Sequence, residues 1–274
     1  MANRFPRFPV GLLVLLALGS GFGCTRDPVP KGQSQVPQAQ AAKTAQVALD
    51  DVIETKPDYI IGITYPTSAA GHPGLAQALK RYADGARADL MQAVAALNGQ
   101  KPSAPYDLSL QFTGLVDQPH IVAVAADGSS YSGGAHGNPL VARFVWLPPQ
   151  RQMLTAQALI PAPAGWQVVS DASREQLMTS LSLRLAADEL PPEVHAQQLQ
   201  MGSKNIADGT APDARNFAQF EPVVDADGRI RALRFVFPPY QVGPYADGTR
   251  TVDIPAATLL PVIAPEFRAL FRRG

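Results

Sequence analysis

The side chains with the widest chemical range in this sequence are its four histidines and its single cysteine, Cys24. His136 stands out, because it sits in Gly133-Gly134-Ala135-His136-Gly137, three glycines in five residues. Glycines let a backbone take positive φ or approach a neighbour closely. An imidazole in such a loop can serve as a general base, a metal ligand or a hydrogen-bonding clamp. Catalysis would require a nucleophile, a second ligand or an orienting carboxylate beside it. The sequence contains no G-x-S-x-G and no H-E-x-x-H, and its one thiol lies far away at Cys24. His72 and His120 adjoin Pro73 and Pro119, His195 follows Pro191-Pro192, and no two histidines share metal-ligand spacing. No catalytic residue, metal or cofactor is therefore expected, and His136 reads first as a structural or hydrogen-bonding residue, then as a partner contact. Asp225-x-Asp227-Gly228 lacks the third oxygen ligand and the distal Glu of a calcium loop, so it reads as a hairpin turn.

A second stretch, Pro238 to Gly248, holds three prolines, two glycines and two tyrosines. Prolines reduce the freedom a loop loses on binding, and tyrosines offer a large contact area with a polar tip. Two readings stay open here. The stretch is either a recognition surface or an ordered turn with its tyrosines tucked under a sheet.

Cys24 has a different chemistry. Arg4 and Arg7 precede an apolar run at 9–23, and Gly21-Phe22-Gly23-Cys24 follows. The run is too short for a comfortable membrane span, which needs about 20 apolar residues. It has the length of a signal-peptide core. The final four residues resemble a lipobox, which predicts cleavage after residue 23 and acylation of Cys24. Thr25, rather than Asp, favours the outer membrane by the same resemblance. Residues 24–47 are polar and rich in Pro, Gln and Ala, as expected of a tether.

The elements that must position these side chains read as α+β. Tyr59–Tyr65 is a strand candidate, rich in β-branched and aromatic residues. Leu75, Leu79, Tyr82, Ala86, Leu90, Val94 and Leu97 recur every three or four residues, which predicts a long amphipathic helix. Strands are expected at 106–115, 119–126 and 140–147, and a helix at 173–187 that ends before Pro191-Pro192. A hairpin is expected across 217–237, turning at Asp225–Gly228. Residues 254–271 carry a helix-like pattern.

Composition agrees with an exported soluble domain. The chain has 274 residues, 46% hydrophobic and 17% charged, with a formal net charge of +0. It has no basic field to attract nucleic acid.

Taken together, Tyr131 to Gly137 and Pro239 to Gly248 resemble the RsiV-like ectodomain family. That family includes the lysozyme-binding extracytoplasmic part of the anti-sigma factor RsiV and a module of the peptidoglycan deacetylase PdaC. The resemblance spans roughly residues 50–272. It implies two subregions packed as one unit: an N-terminal PdaC-like part at 48–140 and a C-terminal RsiV-like part at 141–274. It further implies a partner-binding surface at Tyr131, Gly133, Gly134, His136, Pro239, Tyr240, Gln241, Pro244 and Tyr245. With eight residues before the apolar run and no deacetylase segment after the module, neither sigma binding nor deacetylation is expected. The expectation is a lipid-anchored, periplasm-facing binding module for a lysozyme-like enzyme or peptidoglycan, acting as an inhibitor or immunity protein. A cell-wall hydrolase using His136 and a carboxylate, and a structural envelope lipoprotein, are the competing readings.

Overall fold

A computed structural model of the chain describes residues 47–272. The expected signal peptide, Cys24 and all but the last residue of the tether lie outside these residues.

Residues 52–153 build a six-stranded sheet whose strands lie in chain order. They are β1 (Val52–Thr55), β2 (Tyr59–Thr64), β3 (Tyr106–Gln118), β4 (Ile121–Tyr131), β5 (Asn138–Leu147) and β6 (Gln152–Met153). All neighbours are antiparallel except β2 and β3, which run parallel. A parallel pair needs a long crossover, and α1 (Pro73–Ala96) supplies it. Proline suits the first helical turn, where its missing N–H has no partner to lose. Beyond Leu97 the chain turns out of the helix with positive φ at Asn98 and Gly99. The α1 stripe Leu75, Leu79, Ala83, Ala86 and Leu90 packs on Ile61, Leu108, Leu110, Val122 and Val124.

The remainder holds α2 (Ala156–Leu159), α3 (Gly165–Ala187), α4 (Pro192–Gly209), β7 (Phe220–Val224), β8 (Ile230–Phe237), β9 (Arg250–Pro255) and α5 (Ala256–Leu259). Strands β7, β8 and β9 form a three-stranded antiparallel sheet. Its core is aromatic: Phe217 stacks on Trp166 and meets Phe235 and Phe237 edge-on.

This second core also takes Val116, Ile121, Ala123, Val145 and Leu147 from the face of the large sheet opposite α1. Strand β4 thus lies between two cores. Its residues 121–126, Ile-Val-Ala-Val-Ala-Ala, are buried without interruption. A strand covered on both faces reads as a continuous apolar run rather than as alternation.

Polar contacts fasten the two sheets. Arg143 on β5 donates its backbone N–H to Gln219 at 2.7 Å and its Nε–H to Glu221 on β7 at 2.8 Å. It also pairs with Asp127 on β4 at 3.0 Å. The Arg143 and Glu221 side chains are only 9% and 13% exposed, so their charges need close partners; Glu221 also has Arg234 at 3.7 Å. One end of the contact carries a second fastening: His120 Nε2 lies 3.0 Å from the Gly228 carbonyl in the β7–β8 turn.

The α+β expectation is met, with three local corrections. The helix expected at 254–271 is not formed. That span is the end of β9, the single turn of α5 and a 3-10 stretch at Pro265–Leu270, because Pro255, Pro261 and Pro265 interrupt any continuous ladder. The helix expected at 173–187 starts earlier, at Gly165, and Pro192 begins α4 rather than only closing its predecessor. The hairpin expected from 217 starts at Phe220, because Ala214–Phe217 forms a 3-10 turn. The subregion boundary expected near residue 140 falls within β5, which pairs with β4 from Asn138 to Trp146. The chain leaves the first sheet only after Met153.

Candidate functional site

The two loops singled out in the sequence meet in space. The β4–β5 hairpin carries His136, and the β8–β9 connection carries Tyr240 and Tyr245. The Tyr240 hydroxyl lies 2.8 Å from His136 Nε2. The His136 and Tyr245 rings stack with centroids 4.0 Å apart at 13°. Tyr240 and Tyr245 are 5.6 Å apart, ring to ring. Three aromatic rings from two sheets thus form one cluster.

Backbone geometry places each ring. Gly133 and Gly134 have φ of 99° and 100°, a region closed to most side chains. Tyr131 braces the hairpin by donating its hydroxyl to the Gly134 carbonyl at 3.3 Å. In the other loop, Pro238 accepts the Gln241 N–H in a turn. Tyr240 in that turn has φ of 74°. A bulky residue there is strained, by roughly 1–2 kcal/mol. The Tyr240 side chain remains 58% exposed.

The contacts select one tautomer of the neutral imidazole. His136 Nδ1 lies 3.1 Å from the Gly137 carbonyl oxygen, which only accepts. The neutral ring therefore carries its proton on Nδ1 and accepts from Tyr240 O–H at Nε2. Among the described residues, no carboxylate hydrogen-bonds to His136 and no three His, Cys, Asp or Glu side chains group as metal ligands. The pair can pass a proton between phenol and imidazole. It lacks the orienting acid that general-base catalysis uses.

Gln241 behaves differently from the expectation placed on it. Its amide points inward, donating to Gly209 O at 2.9 Å and Asn216 O at 2.7 Å. The loop passes so close to α4 that a Cβ on Gly209 would lie 2.0 Å from the Gln241 carbonyl. Gln241 is thus an anchor of the loop rather than part of its contact surface. Val242 beside it is buried. Pro239 is half-buried and Pro244 is exposed.

A further anchor is not evident in the sequence. Asp247 forms ion pairs with Arg184 of α3 at 2.7 Å and with Arg250 at 3.4 Å. Arg184 and Asp247 are 63 positions apart, and no local pattern links them. At the same end of the large sheet, Asp107 is the ladder partner of Tyr131. Burial raises its carboxyl above the usual range.

Comparison with known proteins gives the following. Residues 169–257 match a domain family described as a protein of unknown function (DUF3298). A DUF3298 family protein from Pseudomonas aeruginosa PAO1 has a similar solved structure, with a TM-score of 0.51 and 17% identity over 82% of this chain and 94% of that one. A member of the same family from Bacteroides fragilis gives a TM-score of 0.51 and 18% identity over 80% of this chain and 93% of that one. These likenesses concern the fold. No curated protein is matched.

Proposed function

We propose that this chain is a cell-envelope lipoprotein whose folded part is a recognition module for a lysozyme-type muramidase, of the RsiV-like and PdaC-like kind. The observation that carries the reading is the cluster of exposed His136 and Tyr240 on half-buried Tyr245. Tyr240 is held in a strained conformation and yet displayed to solvent. Strain retained at a displayed side chain points to a use for that side chain. Tyrosines on a rigid loop make strong anchors in protein interfaces. Two inward anchors, at Gln241 and Asp247, hold the loop and reduce the ordering cost of binding.

The test is direct. The purified protein is titrated with a chicken-type lysozyme by calorimetry, and lysozyme activity is followed in parallel. Saturable binding that weakens in the Tyr240→Ala/Tyr245→Ala variant supports the reading. Co-sedimentation with purified sacculi and no lysozyme binding would move the ligand to peptidoglycan. Binding to neither removes the proposal. Turnover of sacculi that is lost in His136→Ala would put a hydrolase in its place.

The anchor is tested separately. Cys24→Ala should release the protein from membranes or block its processing, and an outer-membrane position follows from Thr25. Several acyl chains, each contributing about 0.8 kcal/mol per buried CH₂, hold a protein durably. A variant that stays in carbonate-washed membranes would place the anchor elsewhere.

A further inference from the structure

Behind the aromatic cluster lies a cleft of about 510 Å³, between α3, α4 and the loop that runs from Val242 to Arg250. Such a volume accommodates a small molecule. Its wall includes Leu177 and Leu181 of α3, Met201 and Ile206 of α4, and Val242 of the loop. Met201 is 52% exposed, a large apolar side chain left uncovered within this wall.

The polar part is uneven. Arg184 and Arg250 both reach Asp247, so two guanidinium groups share one carboxylate. Two positive charges against one negative leave a local excess of one. Asp188, a turn further along α3, also lines the cleft and brings its formal total to zero. The excess positive charge is therefore local to Asp247. The arginine side chains are 37% and 38% exposed. A guanidinium carries five N–H donors, more than one shared carboxylate can accept from the pair. Apolar walls beside spare charged donors complement an amphipathic anion: a compact apolar body with a carboxylate, sulfonate or phosphate head.

We infer that this cleft is a second ligand site, for a small amphipathic anion, and that its occupancy is felt at the aromatic cluster. The coupling follows from chain continuity. Val242, Gly243, Pro244 and Asp247 line the cleft, whereas Tyr240 and Tyr245 of the same loop hold His136. An anion that draws Arg184 from Asp247 loosens the ion pair that fixes this loop on α3. The site stands independently of which partner the aromatic cluster binds.

The probes are 8-anilinonaphthalene-1-sulfonate and its uncharged counterpart N-phenyl-1-naphthylamine, titrated into the purified protein by fluorescence. The sulfonate should bind with one site per chain. In Arg184→Gln/Arg250→Gln its affinity should fall about tenfold, as for lost charge-assisted hydrogen bonds, while the uncharged probe changes less than about twofold. Ser180→Trp, on an exposed position of the same wall, should weaken both probes and leaves the ion pairs in place, so it tests the site even where the arginine variant folds poorly. At saturation with the sulfonate, the His136 imidazole resonances should shift while those of His72 and His120 stay. Unchanged sulfonate affinity in both variants overturns the site. An unmoved His136 signal at saturation overturns the coupling.

Discussion

A histidine from the large sheet reaches the small sheet at each end of β4, and the two contacts differ in exposure and in the backbone that carries them. At one end His120 bonds the Gly228 carbonyl, part-buried, in a tight hairpin turn. At the other, exposed His136 bonds exposed Tyr240 and stacks on half-buried Tyr245, on glycine-rich and strained backbone. The first contact satisfies a backbone acceptor and joins two turns. The second joins side chains of two loops, His136 and Tyr240 among them exposed to solvent. The same residue type in the same kind of hairpin position therefore says little by itself. Exposure and backbone strain separate a fastening from a display.

The largest effect should come from the clasp midway between the two ends. Arg143→Ala removes the nearer cation from the largely buried Glu221 and leaves it only Arg234, 3.7 Å away. It should lower unfolding stability by about 3 kcal/mol in denaturant melts. Hydrogen exchange should rise at both ends together; a rise at one end only would show that the two ends are fastened independently.

At the display end, Tyr245→Ala should cost about 2 kcal/mol in lysozyme affinity, roughly thirtyfold. Its melting temperature should move little. A large drop in melting temperature with intact affinity would make the His136 end a fastening as well. His120→Ala should show the reverse: about 1 kcal/mol of stability lost with its hydrogen bond, and affinity unchanged by calorimetry.

Tyr240→Gly sharpens the distinction further. Glycine relieves strain of roughly 1–2 kcal/mol against its own entropy cost of roughly 0.5–1 kcal/mol. A net gain of about 0.5 kcal/mol in stability is expected, together with weaker binding. A destabilised variant would mean that the ring contributes more to the fold than to the surface.

The smallest effect concerns Asp107 beneath the display end. Burial raises its carboxyl in the folded state. The folded protein then holds that proton more tightly than the unfolded chain. Stability from this group is greatest below its unfolded range and declines as pH rises through its folded range. Asp107→Asn should raise the melting temperature slightly at neutral pH and have no such effect in acid. An equal shift at both pH values would assign the change to something other than the charge.

Much of the architecture was legible in residue periodicity. The α1 stripe, the apolar β4 run and the Asp225–Gly228 turn each follow from local spacing, because helix faces and hairpin turns are decided within a few residues. Local spacing misleads at two places. Pro191-Pro192 reads as a helix stop, where Pro192 also opens α4, and three further prolines break the helical pattern at 254–271. The Tyr loop was recognisable as a candidate surface from its prolines and tyrosines. Gln241 reads as part of that surface, since nothing beside it in sequence reveals that Gly209 and Asn216 lie behind it.

By itself, then, the sequence determined the α+β class, the long helix and the β7–β8 turn. Those properties rest on contacts between near neighbours along the chain. The tertiary structure decided that residues 136 and 240, separated by 104 positions, share a hydrogen bond. It also decided that Arg143 clasps a strand 78 residues away and that Asp247 is shared by Arg184 and Arg250. Such pairings depend on the packing of one sheet's face against the other. Periodicity along a single strand reports which face is buried, but not which residue of a distant strand it will meet.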